Sequence, residues 1–183
     1  MAPWPPPASG PAEGVGVRFE IEQHFDLPLD TVERALLDPG FVERMAELPK
    51  LGQPQLLTHR VAGAIVHSRI RYSFVGDLSP AVRAAVDPSR LTWVEDATTD
   101  RRTHSTVFVI MPDNYANLLT CKGTFLLSPS GTNTLRVGRG EITVSVPIVG
   151  KKVERAIISA LEGHARSEVG LVQEWAAGGG GPG

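Results

Sequence analysis

The strongest constraint on how this chain folds is a handover near its C-terminus. "GEITVSV", residues 140–146, alternates: Ile142, Val144 and Val146 fall on one side, Glu141, Thr143 and Ser145 on the other. That period of two is a half-buried strand. Pro147 follows, and beyond it apolar residues recur three and four apart. Stepping 100° per residue puts Val149, Val153, Ala156, Ile157, Ala160, Leu161, Leu171 and Trp175 on one stripe. Lys151, Arg155, Glu162, Arg166 and Gln173 lie opposite. A helix over about 148–177 spans about 40 Å. An apolar face that long needs a broad partner, and most of the chain before it reads as strand.

The first such strand is "VGVRFEIEQHFDLP", with Val15, Val17, Phe19, Ile21 and Phe25 opposed to Arg18, Glu20, Glu22 and His24. "LDTVERALLDP" predicts a helix capped by Asp30 or Thr31 and stopped at Asp38-Pro39. "GFVERMAELP" predicts a second short helix ended by Pro49. Two strands then form a hairpin around Gly63. "SPAVRAAVDP" reads as a short helical insertion with Pro80 at its first position. "LTWVEDATTD", "RTHSTVFVIMP", "LLTCKGTFLLSPSG" and "NTLRVGRGEITVSV" are further strands. Gly138 and Gly140 predict a β-bulge in the last of them. Gly163 and Gly170, beside the helical stripe, each cost about 1 kcal/mol against alanine, and close approach to a sheet or ligand would offset that.

This order predicts an α+β fold: about seven antiparallel strands, two short helices after the first strand, and one long C-terminal helix. A curved sheet leaves space that one helix cannot fill, and that space is a pocket. The folded body is expected at 15–177, between a disordered Pro-rich tail at 1–14 and a flexible Gly-rich tail at 178–183. Pro3-x-x-Pro6 also fits a ligand of proline-reading domains, although an unstructured extension is the simpler reading.

A formal net charge of -2 does not suggest a nucleic-acid binder. The single cysteine, Cys121, permits no internal disulfide and fits a reducing cytoplasm. No apolar run is long enough to span a bilayer and the N-terminus lacks a secretory pattern, so no integral membrane association is expected. A weak homodimer is left open.

"FDLPLDTVERALLDPGFVERMAEL", the Trp93 strand after "LSPAVRAAV", and "GEITVSVPIVGKKVERAI" together resemble the helix-grip superfamily. That superfamily includes START-like lipid-transfer domains, polyketide cyclases and plant proteins of the Bet v type. The nearest likeness is to an uncharacterised bacterial START-like family, in which a strand ending Val-Pro-Leu-Val-Gly leads into the long helix. Here the segment is Val146-Pro147-Ile148-Val149-Gly150. The resemblance covers about 17–177 and implies a helix-grip fold. It implies no reaction, because folds host many functions.

Gly150-Lys151-Lys152 invites a phosphate-loop reading. The loop needs a glycine where Ser145 stands and a hydroxyl where Lys152 stands, so the stretch reads as a structural junction instead. His164, near the centre of the helical stripe, is either a core histidine bonded to a carbonyl or a ligand-binding group oriented by Glu168. His24, His59, His67 and His104 show no metal-ligand spacing and read as surface residues, so neither a metal nor a cofactor is expected. Cys121 should point inward as a small hydrophobe. Arg136 or Arg139 could turn inward to clamp a carboxylate. Tyr72, Phe74, Trp93, Phe108, Phe125, Ile157, Leu161, His164 and Glu168 are the expected ligand-binding residues, with none assigned as catalytic.

Three functions fit. The first is non-enzymatic binding or transport of a hydrophobic molecule (lipid, polyketide or isoprenoid) between sheet and helix. The second is a cyclase- or aromatase-like enzyme in the same pocket, with His164 or Tyr72 supplying acid or base. The third is a protein-interaction module with a collapsed pocket. A cavity smaller than about 100 Å³, well below ordinary ligand pockets, would sink both pocket readings.

Overall fold

The computed structural model describes residues 16–77, 80–83, 87–146 and 150–178. Residues 147–149, the Pro-rich start, the residues after Gly178 and parts of the "LSPAVRAAV" insertion lie outside them, along with what was expected there, Val149 of the helical stripe included. Seven strands are present: β1 (Val17–Phe25), β2 (Gln55–Ala62), β3 (Ile65–Ser73), β4 (Thr92–Asp100), β5 (Ser105–Pro112), β6 (Leu119–Ser130) and β7 (Asn133–Val144). The helices are α1 (Leu29–Leu37), α2 (Phe41–Arg44), α3 (Pro80–Arg83) and α4 (Gly150–Ala177). All strand pairings are antiparallel, in the order β1-β7-β6-β5-β4-β3-β2. The α+β architecture expected from the sequence is the one observed, and Gly63 makes the β2–β3 turn at φ 60°.

α4 lies over one sheet face, and the alternation in each strand sets what it meets. β1 turns Phe19 and Phe25 inward and leaves Arg18, Glu20, Glu22 and His24 exposed. Two apolar clusters result. One gathers Phe25, Val32, Ala35, Phe41, Leu127 and Val172 around α1, α2 and the end of α4. The other joins Phe19, Phe108, Cys121 and Ile142 to the first half of α4 through Val153, Ile157, Ile158 and Leu161. No helix among the described residues is long and apolar enough to cross a membrane.

Three expectations need correction. β7 pairs with β1 and β6 without any register shift, so Gly138 and Gly140 make no bulge. They are glycines because aromatic rings lie across them: an added Cβ would stand 2.6 Å from Phe125 at position 138 and 2.5 Å from Phe19 at 140. The irregularity is in β2 instead, between Leu56 and Thr58. Gly163 and Gly170 approach nothing, since a Cβ at either would meet open space. Ala156 is exposed, whereas Glu154 and Val172 are buried.

Glu154 explains the handover. Its Oε1 accepts from the N–H of Val144, the last residue of β7, at 2.8 Å, and Lys151 Nζ stands 3.1 Å from its Oε2. Gly150 packs so tightly there that a Cβ would lie 2.4 Å from the Val144 carbonyl oxygen. The Gly-Lys-Lys stretch therefore joins strand to helix.

Candidate functional site

Where the two apolar clusters meet, the sheet and α4 enclose a cavity of about 90 Å³. Its apolar wall includes Leu36, Phe41, Met45, Ile70, Phe125 and Leu127. Its polar groups come from six directions: Ser68 and Tyr72 on β3, Glu95 and Thr99 on β4, Thr106 on β5, Arg136 on β7, Glu168 on α4, and Glu33 on α1 with His104 of the β4–β5 turn. The volume falls just under the figure set for a ligand pocket and far below the several hundred Å³ usual for drug-sized molecules. A single ring or a few waters fit this space; a lipid or polyketide does not fit it as it stands.

Most of these polar groups are already paired. Arg136 Nη1 donates to Glu168 Oε2 at 2.8 Å and to Gln23 Oε1 at 3.0 Å. Gln23 Nε2 donates to the same Glu168 oxygen at 2.9 Å and to the Ala165 carbonyl at 2.8 Å. The guanidinium lies 3.8 Å over the Phe125 ring, which shields one face of it from water. Thr99 and Thr106 hydroxyls pair at 2.8 Å. Glu33, 5% exposed at its side chain, meets His104 Nδ1 at 3.0 Å and Arg101 Nε at 3.6 Å, tying α1 to the β4–β5 turn. His104 itself holds φ 53°, a left-handed conformation for a non-glycine residue.

Glu95 is the exception. Its side chain is partly buried and lines the cavity. No hydrogen bond from the described residues compensates its charge. Burial pushes its pKa up to about 7, with Glu168 adding to the rise and Arg136 opposing it. Tyr72, whose hydroxyl donates to Met45 Sδ at 3.3 Å, is held well above its ordinary pKa, first by burial and then by the Glu95 and Glu168 charges. The phenol therefore keeps its proton. Cys121 is likewise pushed up to about 12, chiefly by burial, which leaves an unreactive thiol.

The raised Glu95 pKa has a defined effect on stability. Between its ordinary 4.5 and about 7 the folded protein holds this proton and the unfolded chain releases it. The Glu95 contribution to stability therefore falls as pH rises across that window and levels off above it. Glu95→Gln keeps the shape and removes the charge. It is expected to stabilise the fold by about 1–3 kcal/mol at pH 8 and to change little at pH 4. Urea unfolding of both proteins at the two pH values checks this; equal shifts at both would mean the carboxylate is solvated.

Of the residues expected at the site, Tyr72, Phe125 and Glu168 line the cavity. Trp93 and Phe108 stand behind them: Trp93 stacks on Tyr72 at 5.8 Å between centroids, and Phe108 on Phe125 at 5.0 Å. Ile157 and Leu161 pack in the second cluster, and Phe74 bridges to Leu51 beyond the end of β3. His164 Nε2 donates to the Pro49 carbonyl at 2.5 Å, fastening α4 to the segment after α2. Of the two arginines, Arg136 points in and Arg139 points out to Glu20. Glu95, Gln23, Glu33 and His104 were not expected there. For the first two the signal was in the alternation: Glu95 is in phase with Trp93 and Ala97, and Gln23 with Ile21 and Phe25. No group of three or more potential metal ligands occurs among the described residues.

A model of a family described as "protein of unknown function (DUF2505)" matches residues 20–176. No curated protein matches the chain in sequence. Several solved structures share its fold. TTHA0849 from Thermus thermophilus superposes with a TM-score of 0.65 at 16% identity, covering 90% of this chain and 100% of that one. The Zhui aromatase/cyclase from Streptomyces sp. R1128 gives 0.61 at 14% identity, covering 91% and 99%. Ara h 8.0201 gives 0.59 at 10% identity, covering 89% and 99%. These likenesses establish the helix-grip fold.

Proposed function

The chain belongs to the DUF2505 family of proteins of unknown function, and we propose that it binds a small, mostly apolar molecule in the cavity between sheet and α4. The observation that carries this reading is Glu95: a partly buried carboxylate with no hydrogen bond from the described residues, facing a cavity walled by Phe41, Ile70, Phe125 and Leu127. Such a group costs folding free energy, and a bound molecule offsets that cost. The reading is of a binding or transport protein of the cytoplasm, and the fold it shares with an aromatase/cyclase and Ara h 8.0201 supports it. A collapsed pocket serving a protein-interaction module leaves Glu95 without compensation, and so is disfavoured. Larger ligands would require Met45, a flexible side chain, and the α1–α2 segment to move aside.

Native mass spectrometry of protein purified from its host is expected to show a co-purified small molecule. Ala97, buried in the cavity wall, offers the control. Ala97→Leu fills the space, and the adduct should disappear while the fold remains. A wild-type protein without adduct, or an adduct that survives Ala97→Leu, overturns the reading.

One observation favours a second reading, an enzyme of the cyclase or aromatase type. A carboxyl with a pKa of about 7 is poised to give and take a proton at neutral pH, and Tyr72 lines the same cavity. Glu95 is then the acid–base group. Glu95→Gln would abolish turnover while the reactant still bound; under the binding reading there is no turnover to lose.

A further inference from the structure

We infer that the molecule held in this cavity is an organic cation, a small aromatic amine whose ammonium group sits on the Glu95 carboxylate. This rests on the cavity-binding reading above and goes beyond it by assigning the ligand's charge.

The first support is the hydrogen-bonding capacity left free. Arg136 Nη1, Gln23 and Glu168 bond to one another. Thr99 and Thr106 are paired, and Glu33 is held by His104 and Arg101. The Tyr72 hydroxyl already donates to the Met45 sulfur. Glu95 is the cavity carboxylate whose oxygens take no hydrogen bond from the described residues. A ligand that pairs with it must bring donors. An ammonium brings three, and charge-assisted hydrogen bonds are the stronger kind.

Charge points the same way. Three carboxylates line the cavity, those of Glu33, Glu95 and Glu168, against the single permanent cation of Arg136. His104 adds a positive charge only when protonated, and Arg101 reaches Glu33 from a half-exposed position. Arg136 is engaged by Glu168 and Gln23 and lies against the face of Phe125. A ligand carboxylate would sit among like charges. A cation meets the one cavity carboxylate that takes no hydrogen bond from the described residues. The size of the space, about 90 Å³, and the Phe41, Tyr72 and Phe125 rings around it suit one aromatic ring.

The test uses benzylamine, benzyl alcohol and benzoate, three probes of one size that differ in charge, titrated into the full chain at pH 8 by ligand-observed NMR. Benzylamine should bind about tenfold more tightly than benzyl alcohol, with benzoate weakest. In Glu95→Gln the benzylamine affinity should fall about tenfold, while benzyl alcohol stays within about twofold. Ala97→Leu should block all three, and far-UV circular dichroism confirms that both variants are folded. If benzoate binds as well as benzylamine, or if Glu95→Gln leaves benzylamine unchanged, the charge assignment is wrong while the cavity reading stands. If Glu95 is satisfied by water alone and none of the probes binds, both fail together.

Discussion

Arg136→Met is expected to lower stability at pH 7 by about 3–5 kcal/mol, the usual cost of removing one partner from a buried ion pair. Both side chains of the pair are largely enclosed, Arg136 at 13% and Glu168 at 12% exposure. The guanidinium does three things at once. It neutralises Glu168 at 2.8 Å, donates to Gln23 at 3.0 Å, and covers one face of Phe125. Methionine replaces much of the packing and none of the charge. Glu168 would keep only the Gln23 amide as a donor, and Glu95 would lose the one cation that opposes the rise in its pKa.

The variant should therefore carry a pH signature as well as a mean loss. Without Arg136 the Glu95 pKa rises further, so the window over which stability falls with pH extends above the wild-type limit of about 7. The loss should be smaller at pH 5, where the Glu95 carboxylate is protonated. Adding Glu168→Gln removes one orphaned charge and should recover a good part of the loss. Guanidinium unfolding of the single and double variants at pH 5 and 8 measures all of this. A single-variant loss under about 1 kcal/mol, the range of exposed pairs, would mean that water reaches the cluster and that the site is open, not enclosed.

Much of the fold was legible because it depends on periodicity. Alternation in β1 and β7 and the three-and-four spacing of α4 require only that one face be apolar, and the short helices were bounded by Pro39 and Pro49. Less was legible where one residue acts against its class. Glu154 is a charged residue buried to cap a strand, and hydropathy places such a residue outside. The site has the same character. Phe125 and Tyr72 were found because aromatic residues on a sheet beneath a helix tend to face inward. Glu95 and Gln23 share that inward phase, yet an acidic or amide side chain reads as solvated unless phase is given more weight than polarity. His164 allowed two readings, a histidine bonded to a carbonyl and a pocket group, and its ring takes the first, on the Pro49 carbonyl. Which of two similar arginines turns inward depends on the parity of β7, and Arg136 and Arg139 differ by an odd number of residues.

The glycines of β6 and β7 give the second large effect. Gly123 and Gly140 stand opposite each other across the ladder, with Phe108 over the first and Phe19 over the second. Gly123→Ala adds a single methyl, yet that carbon would lie 2.4 Å from the Arg139 carbonyl oxygen and 2.8 Å from the Phe108 ring. A lone ring could turn aside, but the carbonyl belongs to β7, which is paired on both sides, and Phe108 is stacked on Phe125 at 5.0 Å. Relief must come from shifting β7 or tilting both rings, and β7 carries Arg136. The expected loss is about 2–4 kcal/mol, at the upper end for overpacking. Gly163→Ala supplies the contrast: its methyl meets nothing within 4 Å on α4, and it should stabilise by about 0.5–1 kcal/mol. Opposite signs for the same chemical change are the outcome to look for in thermal unfolding. If Gly123→Ala is neutral, the rings are not seated on the glycine floor, and the wall that holds Phe125 against Arg136 is looser than the cavity requires.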